Sequence, residues 1–365
     1  MATTTQPLER PRYNWRGAWW VTPLFVLFGM VLAYFIFNAI VNGKCDGACV
    51  TNLLQQMITQ ATPIAFAALC GVMCERAGVV NIGIEGTMLV AAMVAYAVNV
   101  FSFQFFKANL DAGAAGNMSR LLAMTCGVIV AVLFVWLHAV VSISFKANQI
   151  ISGTVLNILS LGITGYFYRQ FLAENIPAGP GTFPVIDVPL LSKIPYIGPI
   201  FFEHQPLTFV MLILVLVLWY VIYYTPWGLR TRAVGEHPRA ADTLGINVYR
   251  VRYVNVLIGG AIAGLGGVWF TLEGVDVFNP MMTSGLGFIG LAAMIFGKWN
   301  PVGALMGALL FGLGSSVTTV LSFNRPDIPS QLPQMLPYLL TIIILTGVVG
   351  RAVPPAADGE PYEKQ

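Results

Sequence analysis

A chain of 365 residues in which 57% are hydrophobic and 10% charged, with a mean hydropathy of +0.75, lies outside the soluble globular class, where about a quarter of residues carry charge. The formal net charge of +3 gives no reason to expect a nucleic-acid partner, because Lys and Arg of membrane proteins concentrate in cytoplasmic loops. The composition is that of a polytopic membrane protein.

A membrane span needs about 20 mostly apolar residues to cross about 30 Å of hydrocarbon. The first apolar run, 17–40, is longer than a signal-peptide core, lacks a small-residue cleavage site and follows Arg10, Arg12 and Arg16, so it reads as a retained span. Trp15, Trp19 and Trp20 beside those arginines suit an anchor at headgroup level. Further spans are predicted near 53–74, 79–103, 121–143, 150–172, 206–225, 253–272, 285–297, 301–322 and 335–350, about ten in all.

With the N-terminus cytoplasmic, the inside regions hold Arg10, Arg12, Arg16, Arg76, Lys146, Arg230, Arg232, Arg239, Arg250, Arg252, Lys298, Arg351 and Lys364. The outside keeps Lys44, Lys107, Arg120, Arg169, Lys193 and Arg325. This asymmetry places both termini inside, in agreement with an even number of crossings. The chain then divides into a cytoplasmic segment 1–16, a transmembrane domain 17–351 and a cytoplasmic tail 352–365.

The stretch from Cys74 to Val90 sets Glu75, Arg76, Asn81 and Glu85 among apolar runs, punctuated by Gly78, Gly83 and Gly86. Charge at bilayer depth is costly and marks a cavity or pathway, and irregular backbone survives there only where protein or water satisfies it. The stretch reads as a broken helix. Asn81 and Glu85 lie one helical turn apart, where an amide and a carboxylate can meet a hydroxyl-rich or amide-bearing solute; the alternative is that Glu85 caps the broken helix or pairs with Arg76. Gln149, Asn148 and Asn157 follow at the start of the fifth span, with Gln149 and Asn157 as candidate pathway residues, the alternative being amides that satisfy a neighbouring helix backbone. His138, inside the fourth span, reads as a helix-contact histidine rather than a proton relay. Tyr166, Phe167 and Tyr168 read as lipid or helix contacts, the alternative being an aromatic that stacks on a nucleobase or sugar.

The eighth segment, 285–297, is too short to cross alone and carries Gly285, Gly287 and Gly290. It echoes the Gly78–Gly86 break, and short, interrupted segments in matching places of two halves point to a transport site. If spans two to five mirror spans seven to ten, the halves have inverted topology. The expected fold is thus an all-α integral membrane protein of about ten transmembrane helices, in two inverted halves with broken helices near the pathway.

Two loops stand out. The external loop 173–205 carries Pro177, Pro180, Pro184, Pro189, Pro195 and Pro199, a composition that resists helix and favours stiff, extended backbone; it serves either a delivery protein or as a packed cap. The cytoplasmic loop 226–252 is rich in arginine. Within it, Glu236 to Gly245 reads as a short helix with Pro238 in its first turn, Ala240 and Ala241 as a small-residue face, and Gly245 at its end. Such a helix can dock in a groove on a soluble partner, or the loop is merely solvated and basic.

Five cysteines and three histidines do not form a metal-ligand set. Cys45 and Cys49 in a short loop are either bridged or two free thiols. No catalytic set is apparent, and the nearest approach to a phosphate loop, Gly290 to Trp299, has the wrong glycine spacing and Trp299 where Ser or Thr holds magnesium. That segment therefore does not read as an ATPase site.

Glu75-Arg-Ala-Gly-Val-Val-Asn-Ile-Gly-Ile-Glu-Gly86, Gly235-Glu-His-Pro-Arg-Ala-Ala-Asp-Thr-Leu-Gly-Ile246, Lys146-Ala-Asn-Gln-Ile-Ile-Ser-Gly153 and Gly287 to Pro301 together resemble the membrane subunits of ATP-binding-cassette importers. The branch is the one that serves nucleosides, simple sugars and branched-chain amino acids. The resemblance implies a permease paired with a second permease (a paralogue or a second copy), two ATPase subunits that hold ATP-Mg, and a substrate-binding lipoprotein or periplasmic protein, in a prokaryotic inner membrane. This chain binds no cofactor of its own on that reading. Gly235, Glu236, Pro238, Ala240, Ala241 and Gly245 would form the ATPase-coupling segment. The wording Asn81-Ile-Gly-Ile-Glu-Gly86 leans toward a nucleoside, with a simple sugar or branched-chain amino acid as alternatives and an ion-coupled secondary transporter as the competing class.

Overall fold

The computed structural model describes residues 47–364 except 175, 325–328, 330, 336–338 and 340–351. Seven helices among these residues are long and apolar enough to cross a membrane, and the chain is a multi-pass, mostly helical membrane protein. In chain order they begin with α1 (Gly47–Glu75), α2 (Ile84–Lys107), α3 (Ala112–Ala139) and α4 (Gln149–Phe167). There follow a strand β1 (Ile186–Asp187), α5 (Ile197–Phe202), a strand β2 (Glu203–His204) and α6 (Pro206–Tyr224). Then come α7 (Pro226–Glu236), α8 (Pro238–Thr243), α9 (Val248–Trp269), α10 (Leu286–Phe296) and α11 (Pro301–Asn324). Helices α3, α4 and α9 each run on into one wide π-helical turn, at 140–144, 168–172 and 270–274.

The helix starts follow from local chemistry. Asp111, Asn148, Thr225, Asn247 and Asn300 accept hydrogen bonds from the first free N–H groups of α3, α4, α7, α9 and α11, the usual work of short polar caps. Pro206, Pro226, Pro238 and Pro301 open their helices, where the missing N–H costs nothing.

Helix α1 is the hub. It is buried continuously from Ala61 to Glu75 and packs against α9, α10 and α11. Pro63 lies inside it, which a helix surrounded by other helices tolerates. By contrast, α4 presents Ile150, Ile151, Val155, Ile158 and Leu161 outward, as a helix facing lipid or another apolar surface does.

The expected spans 53–74, 79–103, 121–143, 150–172, 206–225, 253–272 and 301–322 each coincide with one of the long helices. The expected spans 17–40 and, almost wholly, 335–350 lie outside the described residues, as does Cys45. Helix α10 has 11 residues and rises about 16 Å, roughly half the hydrocarbon thickness.

Two expectations are corrected. The loop 173–205 is not simply extended: β1 and β2 pair antiparallel, and Ile197–Phe202 is helical with Pro199 in its first turn, where proline is harmless. Its backbone is fastened by Gln55 Nε2 donating to the Glu203 carbonyl at 2.9 Å and Phe183 N donating to that of Leu272 at 2.7 Å. The helix expected over 236–245 is shorter as well. Gly235 and Glu236 end α7, and α8 holds only Pro238–Thr243, because His237 adopts φ −142° just before a proline, where the helical region is disfavoured.

Candidate functional site

Between α1 and α2 the chain leaves helical conformation from about Arg76 to Gly83, so its amide and carbonyl groups need other partners. They are supplied by side chains. Asn81 Oδ1 accepts from Gly83 N at 3.0 Å, a local Asx turn, and its Nδ2 points at the sulfurs of Cys70 and Cys74. Gln149 Oε1, at the start of α4, accepts from Val80 N at 2.7 Å. Asn157, two turns along α4, brackets the end of the break: Nδ2 donates to the Ile82 carbonyl at 3.0 Å, and Oδ1 accepts from Gly86 N at 2.8 Å. His138 of α3 completes the set, with Nε2 at 3.0 Å from the Val80 carbonyl and Nδ1 at 3.1 Å from Ser152 Oγ. In the neutral tautomer Nε2–H donates and Nδ1 accepts.

The break is joined to α10 at both of that helix's ends. Glu85, in the first turn of α2, accepts from Gly285 N at 2.8 Å and from Gly287 N at 2.7 Å through its two carboxylate oxygens. It therefore caps the start of α10 while lying at the start of α2, and the positive ends of two helix dipoles meet on one carboxylate. It does not pair with Arg76, which points the other way. Arg76 donates through Nε to the Trp299 carbonyl at 2.8 Å and through Nη2 to that of Lys298 at 3.2 Å, while Glu75 accepts from the Trp299 indole. Lys298 and Trp299 stand at φ +55° and +54°, a left-handed turn that side chains disfavour. The guanidinium holds that turn by its carbonyls. Glu75 and Arg76 are 6% and 7% exposed, so both polar side chains depend on these partners.

The second candidate region sits against the same corner. A Cβ placed on Gly235 would lie 2.2 Å from the Arg76 carbonyl oxygen, so only glycine lets α7 approach the break this closely. Gly245 follows α8 at φ +80°. Of the small-residue pair, Ala241 is buried beneath α8 and Ala240 faces outward, with Pro238 half-buried and Glu236 exposed. The outward face also carries Leu244, 81% exposed, which is the most prominent apolar residue of this region.

Asn81, Glu85, Asn157 and Gln149 thus converge on one break, and Gly235 to Gly245 abut its far side. Sequence reading missed what Glu75, Arg76 and Glu85 touch, since these partners are 200 or more residues away. The repeated glycines at 285 and 287 were the available sign, because unblocked N–H groups at a helix start call for an acceptor. Among the described residues no group of His, Cys, Asp and Glu is placed to hold a metal.

The sequence matches known proteins over most of its length. It is 44% identical over 316 residues to the guanosine ABC transporter permease protein NupQ of Bacillus subtilis, covering 84% of this chain and 95% of that one. To the nucleoside ABC transporter permease protein NupC of Lactococcus lactis it is 41% identical over 326 residues, covering 86% and 99%. To the putative glucose ABC transporter permease protein TsgC13 of Haloferax volcanii it is 34% identical, covering 82% and 92%. No solved structure matches it. Residues 53–345 fit the model of the branched-chain amino acid transport system / permease component, and the chain belongs to that family of permeases.

Proposed function

We propose that this chain is the membrane-spanning subunit of an ATP-binding-cassette importer, forming the pathway for a nucleoside and drawing energy from ATPase subunits on separate chains. The observation that carries the choice of solute is Glu85. Helix N-termini at a transport site ordinarily attract an anionic group of the solute, but here the N-termini of α2 and α10 already share a protein carboxylate. An amino acid's carboxylate gains nothing from ends that are already neutralised, whereas an uncharged nucleoside or sugar does not need them. Relatives named for nucleoside and guanosine at 41% and 44% identity favour the nucleoside. A relative named for glucose at 34% keeps an uncharged sugar as the second reading.

On this reading Asn81 and Glu85 border the pathway, and Asn157 and Gln149 hold the break that moves beside it. Gly235, Glu236, Pro238, Ala240, Ala241 and Gly245 form the coupling segment, with Leu244 as the apolar knob that seats in the ATPase. The fold is about ten helices in two inverted halves, the α1-break-α2 unit being matched by α10, the 297–300 turn and α11. Both termini are cytoplasmic, with 1–16 and 352–365 flanking the transmembrane domain 17–351 in a prokaryotic inner membrane. The chain has no ATPase site and binds no cofactor; ATP-Mg resides on the partner ATPases. A second permease covers the apolar face of α4, and a substrate-binding protein meets the loop 173–205, whose Val185, Ile186, Leu190, Tyr196 and Ile197 are exposed.

Uptake of labelled guanosine, glucose and leucine by vesicles carrying the chain with its neighbouring permease, ATPase and receptor tests the proposal. Guanosine accumulation that requires ATP is expected. Glucose or leucine accumulation in its place moves the solute, and accumulation driven by an ion gradient without ATP refutes the class.

A further inference from the structure

Residues 352–364 lie across the corner where the break, α7, α8 and α9 meet, and their contacts reach every one of these elements. Ala357 N donates to the Gly235 carbonyl at 2.9 Å, and Ala356 N to the Glu236 carboxylate at 3.2 Å. Tyr362 is buried in a small apolar patch with Val234 of α7, Ala241 of α8, and Val248 and Val251 of α9. Its ring lies 5.4 Å from that of Tyr249, whose hydroxyl donates to the Tyr362 carbonyl at 3.2 Å. Glu363 pairs with Lys146, between α3 and α4, at 2.9 Å.

The patch is what anchors α8. A six-residue helix has no stability of its own, and Ala241 is its one buried side chain, so Tyr362 supplies much of the surface against which α8 rests. The polar contacts on the other side of the tail are incomplete. Arg252, 1% exposed, donates through Nη1 to the Glu360 carbonyl at 2.8 Å but leaves Nε and Nη2 unpartnered. Asp358 faces Glu75 and Arg252, with its Oδ1 buried and unpartnered. Half-satisfied buried polar groups are costly in one fixed arrangement, which fits a joint that takes a second one.

We propose that the segment 352–364 is a strut of the transport cycle: Tyr362 seats it on the coupling segment, Asp358 and Arg252 form its joint with Glu75 at the break, and displacement of α8 reaches the break through it. The proposal rests on the coupling role given to 235–245 under the proposed function. It adds that the link to the break needs the tail as well as the direct contact of Gly235 with Arg76.

The test compares three variants with the wild type in the assembled transporter: a chain ending after Val353, Tyr362→Ala, and Tyr362→Phe, which keeps the ring. Guanosine taken up per ATP hydrolysed is expected to fall at least about tenfold on truncation and less for Tyr362→Ala, with ATP hydrolysis kept within about twofold and Tyr362→Phe near wild type. An unchanged ratio, or uptake and hydrolysis that rise together on truncation, overturns the strut. If the truncated chain does not assemble, Tyr362→Ala decides by the same ratio. Hydrogen exchange of 75–83 supplies a readout independent of solute: ATP is expected to alter it in the wild type and not in the truncated or Tyr362→Ala transporter, and equal ATP effects in all overturn the strut. A wild type that shows the exchange response but no guanosine uptake refutes only the solute.

Discussion

Glu85 occupies the meeting point of two helix starts, and removing it leaves the N–H groups of Gly285 and Gly287 without their acceptors. An unsatisfied buried donor costs about 1–3 kcal/mol, and the loss of the shared helix-end field adds to it. Glu85→Ala is therefore expected to lower the melting temperature of the purified transporter and to reduce uptake at least about tenfold. Glu85→Gln keeps an oxygen for one N–H but turns an NH2 toward the other, so it is expected to fall between the two; a Gln variant equal to wild type in both measurements removes the basis of the helix-end argument. Arg76 serves two carbonyls of one strained turn from two nitrogens. A lysine is a point donor that does not reproduce that fork, so Arg76→Lys is expected to destabilise the turn at 298–299, read as faster hydrogen exchange there, whereas exchange at 285–287 stays as it was.

At the scale of elements, α8 is a short helix bounded by His237 and a left-handed Gly245 at φ +80°. A β-branched residue in that conformation costs on the order of 1–3 kcal/mol, so Gly245→Val is expected to misdirect the end of α8 and uncouple ATP hydrolysis from uptake while the transporter still assembles. Unchanged uptake per ATP refutes this. Leu244→Ser removes an apolar surface that is 81% exposed; weaker copurification of the ATPase with an unaltered melting temperature of the permease alone is the expected outcome. Much of this was legible in the sequence. Long apolar runs are local signals, and seven of the ten spans they predict match long helices among the described residues. The pairing of Glu75, Arg76 and Glu85 with the ends of α10 is set by packing between segments 200 or more residues apart, which no local pattern encodes. The bounds of α8 were misjudged because small residues and a terminal glycine mark helix propensity, while His237 before Pro238 imposes a steric break inside the expected run.

For the whole molecule, the contact of 352–364 with α1, α7, α8 and α9 makes the cytoplasmic corner responsive to pH on the proposed topology. Burial pushes the Asp358 carboxyl up to about 6, opposed first by a hydrogen bond with the Glu75 side chain and then by the nearby Arg252 guanidinium. The charged and titratable groups around this tail from the packed elements are thus Glu75 of α1, Glu236 of α7, Arg239 and Asp242 of α8, Tyr249 and Arg252 of α9, Lys146 between α3 and α4 and, within the tail, Glu360, Tyr362 and Glu363. A carboxyl whose pKa is raised by docking favours the docked state when protonated; its contribution is complete below its undocked value near 3.8 and is lost as pH rises through about 6. The Lys146–Glu363 pair does not produce this trend, since it holds the exposed Glu363 carboxyl below its usual range, and a pair that needs the ionised carboxylate is weakened, not strengthened, as the pH falls. Amide exchange over 352–364, corrected for its intrinsic pH dependence, is therefore expected to be slower at about pH 5 than at about pH 7.5. Asp358→Asn, neutral at both values, is expected to flatten the difference and to hold the tail at pH 7.5 about as firmly as the wild type holds it at pH 5. A tail that loosens as the pH falls, or a dependence that survives Asp358→Asn, would show that another group governs docking and would leave the strut without its acid-sensitive joint.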